Sequence, residues 1–228
     1  MITPDSPAVQ ADLSHYTNHR EEIMEIRQAR IDDDTALAQL IYSAGPELYD
    51  FIYRTSKHDA LDYIRYEFQS GRGFCGHRNV TVAAEGGRVL GTGCFYDAKR
   101  YGKLTLGTVA NMIRFYGWKD VWPVLARSGH IGSVMKKPRR GELYLSNFGV
   151  APDRRGSGVG STMIRHKLDE AKNKGYRVFG LDVADTNPRA ERLYQRLGLQ
   201  QVAFKHFTGK RKGMQIPNSK KMELPIQH

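Results

Sequence analysis

The chain has 228 residues, 40% hydrophobic and 26% charged, with a formal net charge of +11. That length allows one large domain or two small ones around a sizeable core. No apolar run approaches the roughly 18 residues of a membrane-spanning helix, and the acidic N-terminus lacks the apolar segment of a secretory leader, so no membrane partner and a cytoplasmic location are expected. Cys75 and Cys94 belong to no CxxC pair or metal-ligand cluster, which sets aside a disulfide framework and a metal site. Much of the positive charge lies around residues 136–140, at Arg154 and Arg155, and between residues 205 and 221. Three separated clusters suit a small anionic ligand plus solvated surface at least as well as a nucleic-acid stripe.

Residues 1–20, with Pro4, Pro7 and no periodicity, read as a flexible tail ahead of a single domain over 21–228. A strand from about Glu25 meets Asp32, Asp33 and Asp34, which suit a helix start. Ala36, Leu37, Leu40, Ile41 and Ala44 then recur at helical spacing, predicting a helix over about 33–43. Leu48 to Tyr53 continues apolar, and Leu61, Ile64, Tyr66 and Phe68 lie on a second helix stopped at Gly71. Two β-rich runs flank Gly86 and Gly87 and predict a hairpin. Residues 99–140 carry helical patches and read as an insertion between strands, with Phe115, Tyr116, Trp118 and Trp122 as packing or cleft residues. A strand over 142–150, a helix, an apolar strand over 177–183, a short helix and two closing strands complete the chain. This order describes an α/β (α+β) domain with a mixed, mostly antiparallel sheet of six or seven strands flanked by helices.

The stretch Val150-Ala151-Pro152-Asp153-Arg154-Arg155-Gly156-Ser157-Gly158-Val159-Gly160 is a strand end, a turn and a basic glycine-rich loop entering a helix. The first amides of a helix have no intrahelical acceptor, and the helix dipole adds positive charge there, so such a loop can hold an anion. Glycines let the backbone approach a phosphate and adopt positive φ. A Rossmann site is not matched, because its third glycine would fall where Ser161 stands. A P-loop is not matched either, because no Gly-Lys-Ser/Thr follows. Further on, Asn187 and Pro188 suit an N-cap and first helical position ahead of Ala190, Leu193, Tyr194 and Leu197, with a stop at Gly198.

These residues resemble the GNAT superfamily of acetyl-CoA-dependent N-acetyltransferases. One signature is Arg155-Gly156-Ser157-Gly158-Val159-Gly160 after Phe148-Gly149-Val150-Ala151-Pro152. The other is Leu181-Asp182-Val183 followed by Asn187, Ala190, Leu193, Tyr194 and Gly198. The element order over about 24–224 is similar too, apart from the insertion. The resemblance implies acetyl-CoA as cosubstrate, with no metal, and direct attack by a primary amine in a ternary complex. It implies a pyrophosphate site on the amides of Arg155, Gly156, Ser157, Gly158, Val159, Gly160 and Ser161. It implies a pantetheine arm along Phe148, Gly149 and Val150, where the strand parts from its neighbour at a bulge. Asn187 would contact the pantetheine, and Tyr194 would protonate the departing thiolate.

An attacking amine must lose a proton. Asp182 matches in place the glutamate used as base in ribosomal-protein alanine acetyltransferases, but is one methylene shorter, which favours a water relay. Glu142 and Tyr144 are alternatives, since 142, 144, 146 and 148 share one face of an ideal strand. The acceptor is read as a small-molecule or peptide amine, walled by Leu48–Cys75 and the insertion. A homodimer is left open. The rival readings are an acetyl-CoA sensor without catalysis and a basic nucleic-acid-binding protein, whose affinity would fall steeply with salt.

Overall fold

The computed structural model describes residues 24–135, 137–210 and 213–227. The tail read over 1–20 lies outside the described residues. Seven strands form one sheet in the order β1-β2-β3-β4-β5-β7-β6. They are β1 (Glu25–Gln28), β2 (Val80–Glu85), β3 (Arg88–Tyr96), β4 (Glu142–Val150), β5 (Val178–Ala184), β6 (Gln200–Lys205) and β7 (Ser219–Pro225). Only β4 and β5 pair in parallel; the other neighbours are antiparallel. The hairpin turns at Gly86 and Gly87, with φ of 55° and 78°, a left-handed pair that glycine adopts without a Cβ clash.

Among the described residues three α-helices, not two, precede the hairpin: α1 (Asp34–Ser43), α2 (Pro46–Tyr53) and α3 (Ala60–Ser70). The apolar run after Leu48 is a helix in its own right because Pro46 occupies its first turn, where a missing N–H costs nothing. Asp59 and Asp62 cap α3 reciprocally and Gly71 ends it at φ 68°. Between β3 and β4 the insertion is α4 (Ala98–Ser128), broken at Gly117 with φ 72°, and α5 (Ile131–Val134). Asp97 starts α4 by accepting from the amides of Lys99 and Arg100. After β4 come α6 (Val159–Asn173) and α7 (Pro188–Arg196). β7 starts at Ser219, later than the apolar pattern from Gly213 suggests.

The alternation of side chains along the strands divides the core in two. Leu143, Leu145, Phe179, Leu181 and Val183 pack with Ile164 and Tyr194 under α6 and α7. On the opposite face Val80 and Val82 pack with Leu37, Ile41, Ile64 and Phe68 of α1 and α3. A third cluster, including Phe51, Tyr53, Tyr63, Met112, Tyr116 and Val124, joins α2 and α3 to the insertion. The insertion is therefore part of the domain's own core. Tyr116 is buried there, Phe115 is half-buried, and Trp118 and Trp122 are exposed.

Candidate active site

β4 departs from ideal geometry in the middle. Between the pairs Thr92↔Gly149 and Cys94↔Ser146, β3 has one residue and β4 has two, Asn147 and Phe148. Asn147 absorbs the extra residue at φ 54°, the only positive φ at a non-glycine among the described residues. A bulge shifts the side-chain parity. Phe148 consequently packs against Val159, Met163 and Tyr194 on the α6 and α7 face, off the face that an ideal strand would give it with Glu142, Tyr144 and Ser146. Gly93 makes this possible, since a Cβ there would stand 2.9 Å from Leu145 and 3.2 Å from Phe148.

The parallel ladder of β4 and β5 ends at Leu145↔Leu181. Beyond it β4 runs on to Val150 beside β3 while β5 runs on to Ala184 beside β7. The two strands part, and the backbone of Phe148, Gly149 and Val150 faces the gap. Main-chain groups exposed this way accept an added extended chain.

The glycine loop lies at the end of that gap. Gly156 and Gly158 have φ of 95° and 93°, which excludes most L side chains. Gly158 stands at the N-cap of α6 with no side-chain cap. The first α6 amide to reach a backbone acceptor is Thr162, bonded to Gly158 at 3.0 Å. The amides of Val159, Gly160 and Ser161 thus face outward as an anion site. The amides of Arg155 and Ser157 are turned inward to Pro152 and Arg154, each at 3.4 Å, and the Ser157 hydroxyl donates to Arg154 at 2.7 Å. Those two residues brace the turn. Arg155 also donates from Nε to the Val150 carbonyl at 3.1 Å. A cation that the sequence did not single out lies nearby: Arg189 Nη2 is 3.6 Å from where a Cβ of Gly156 would stand.

Asn187 caps α7, accepting from the Ala190 amide at 3.1 Å. Tyr194 is buried, with its ring 6.4 Å from that of Phe148. Burial alone raises its phenol above the ordinary value of 10.0, because the phenolate would lose its hydration.

The opposite side of the gap is polar. Asp182, one residue beyond the last β4–β5 pair, accepts from the Tyr144 hydroxyl at 2.6 Å and from Lys205 Nζ at 2.9 Å. Burial, and then the charge of Asp182, push the Tyr144 phenol well above 10.0. Glu142 is elsewhere. It lies at the far end of β4, five residues before Asn147, or roughly 16 Å along a strand. There its buried carboxylate pairs with Lys221 and accepts from the Arg139 amide at 2.8 Å. A Cβ at Gly180 would collide with that carboxylate, so the glycine makes room for a structural ion pair.

Five residues at and behind the bulge, Tyr49, Asn147, Phe74, Thr108 and Glu67, escaped sequence reading, since only folding brings them together. The Tyr49 hydroxyl donates to Asn147 Oδ1 at 2.7 Å, and Asn147 Nδ2 donates to the Phe74 carbonyl at 3.2 Å. The Phe74 amide donates to Thr108 Oγ1 at 3.2 Å, and that hydroxyl donates to Glu67 at 2.5 Å. Glu67 is fully buried, and burial raises its carboxyl from 4.5 to about 7 despite the Thr108 hydrogen bond. Among the described residues no Lys, Arg or His stands within 4.0 Å of it, and no cluster of three metal-ligating side chains occurs.

Comparison with known proteins agrees with this geometry. Over 60 residues the chain is 40% identical to thialysine N-epsilon-acetyltransferase of Mus musculus, covering 26% of this chain and 35% of that protein. Over 64 residues it is 31% identical to [ribosomal protein bS18]-alanine N-acetyltransferase of Escherichia coli K12, covering 28% and 43%. The matched segment thus spans well under half of either relative. Among solved structures, an N-acetyltransferase from Staphylococcus aureus Mu50 superposes with a TM-score of 0.65 at 17% identity, over 88% of this chain and all of that one. The structure of yncA from Salmonella typhimurium with its cofactor acetyl-CoA gives 0.51 at 20%, over 90% and 95%. Identities this low speak for the fold alone. The model of the acetyltransferase (GNAT) family matches residues 43–199, more than half of the sequence and all of the gap, loop and α7 cap described above, and the chain belongs to that family.

Proposed function

We propose that the protein is an N-acetyltransferase that moves an acetyl group from acetyl-CoA to a primary amine in a ternary complex. The observation that carries this reading is that the amides of Val159, Gly160 and Ser161, which reach no backbone acceptor, follow directly in the chain on the edge of Phe148, Gly149 and Val150 that β5 leaves unpaired. The amides suit a pyrophosphate, with Arg155 and Arg189 as flanking cations, and the strand edge suits an amide-bearing arm. A Cβ on Gly158 would meet nothing within 4 Å, so the loop is open where the anion would lie. When bound, acetyl-CoA supplies the activated acyl group.

The chain's own residues then have separate tasks. Tyr194 keeps its proton through the neutral pH range because its phenol is raised, and we assign it donation of that proton to the leaving sulfur. Asn187 orients α7 and offers its amide to the pantetheine side. Asp182 is placed at the gap and Glu142 is not, so we assign proton acceptance to Asp182. Tyr144 and Lys205 already occupy its oxygens, so the amine's proton reaches it through water or the Tyr144 hydroxyl. The relatives' names specify a thialysine Nε, a ribosomal-protein alanine and, for a Streptomyces lavendulae enzyme 36% identical over 56 residues, streptothricin. All three are amine acceptors of different size, which supports the amine class and leaves the α2, α3 and α4 wall to choose within it.

The test is thiol release from acetyl-CoA across amine classes. Turnover with at least one amine class is expected, and coenzyme A binding without turnover on any of them would reduce the protein to a sensor. Asp182→Asn should lower turnover; full turnover in that variant would move the base elsewhere.

A further inference from the structure

A cavity of about 220 Å³ opens at the other end of the sheet from the glycine loop, between the ends of β2 and β3 and the last turns of α6. α6 separates the two sites. Gly158 stands at its start and Lys174 just past its end, roughly 24 Å apart at helical rise. The residues lining the cavity include four basic ones, Arg78, Arg100, Lys167 and Lys174, and one acidic one, Glu170.

The charge there is not neutralised. Lys167 and Lys174 share Glu170 at 3.0 and 3.1 Å, and His166 also lies 3.1 Å from it. Burial would raise the Glu170 carboxyl, but hydrogen bonds from Lys167 and Lys174 outweigh it and hold it lowered. Among the described residues the Arg100 side chain bonds only to the neutral amide oxygen of Asn79, at 3.0 Å. Neither Arg78 nor Arg100 has a carboxylate within 4.0 Å among the described residues. Asp97, just before α4, is committed to the Lys99 and Arg100 amides and to the Tyr176 hydroxyl. The floor is apolar, with Phe95 lying 5.6 Å beneath Lys167 Nζ.

The geometry points to this cavity as a second anion site, which takes a small organic phosphate with its phosphoryl group between the two arginines and the two lysines and its apolar part over Phe95. Guanidinium groups match phosphoryl oxygens in pairs, and ammonium groups add point charge. The concave shape favours a small molecule over a nucleic-acid strand, which would track a surface groove. This inference does not depend on the acetyl-transfer reading.

The test uses the full chain saturated with coenzyme A, so that the glycine loop is filled, and inorganic pyrophosphate as the probe in a calorimetric titration. One binding event per chain is expected, weakened about tenfold by Arg100→Ala and again by Arg78→Ala, the loss of charge-assisted hydrogen bonds. Lys174→Gln, at an exposed position, should weaken it about tenfold as well with little change in thermal unfolding, which keeps the test valid if an arginine variant folds poorly. Amide shifts should appear at Thr81, Tyr96 and Tyr176. Absence of heat at millimolar probe, binding indifferent to all three substitutions, or shifts confined to Gly156–Ser161 would overturn the site.

Discussion

The two sides of the β4–β5 gap are built in different ways. The side under α6 and α7 is made from one stretch, residues 148–194, in which a strand end, a loop and two helix starts follow each other in order. Its chemistry is mostly backbone: unbonded amides, an open strand edge and one buried phenol. The side under α1 to α4 is assembled from Tyr49, Glu67, Phe74, Thr108, Asn147 and Lys205, which are scattered over more than 150 positions. Its chemistry is side-chain polarity buried at high cost. Local geometry can be reused with any acceptor, whereas a wall gathered from distant elements can change piece by piece, which suits a constant cofactor and a variable substrate.

The contrast can be broken most directly at the loop. Gly158→Asp places a Cβ at φ 93° and a negative charge at the helix N-terminus, and a loss of coenzyme A affinity of about a hundredfold or more is expected by calorimetry. Affinity unchanged by this variant would remove the backbone account of the cofactor side.

Glu67 tests the other side. Its folded value of about 7 lies above its ordinary 4.5, so between those pH values the folded protein holds a proton that the unfolded chain has released. Stability from this group is therefore present below about pH 4.5 and falls as pH rises to about 7, by about 3 kcal/mol in all. Denaturant unfolding of Glu67→Gln should lack that decline and exceed the wild type at pH 8. Coenzyme A affinity should not move; a shift in it would show that the two sides are coupled.

Tyr194→Phe should lower turnover by about tenfold or more while leaving coenzyme A affinity close to wild type, because among the described residues the hydroxyl has no hydrogen-bond partner to lose. Equal loss in both would make Tyr194 a packing residue. The smallest effect is expected from Asn187→Ala, which removes the cap on Ala190 at about 1 kcal/mol of stability. A larger fall in cofactor affinity than in stability would separate its binding task from its capping one.

The distribution of what was legible follows the same division. The glycine loop, the Asn187 cap, the hairpin and the strand order could be read from residues because each depends on local spacing, φ preference or alternation. In sequence Asp182 was the first candidate for the base, with Glu142 and Tyr144 as alternatives. Folding separated the two carboxylates, because the parallel ladder stops at Leu181 and leaves Asp182 at the gap while Glu142 closes an ion pair with Lys221 at the far end. Phe148 was placed on the wrong face because a bulge leaves no mark in an alternation pattern.

The sequence by itself determined the fold class, the family and the local geometry of the glycine loop and the α7 cap, since those rest on spacing and contacts between near neighbours in the chain. Only the tertiary structure decided which carboxylate reaches the gap, that Glu67 is buried without a cation, and that Arg78, Arg100, Lys167 and Lys174 meet around one cavity. Those facts depend on how distant segments pack, and desolvation and charge pairing have no meaning until the packing exists.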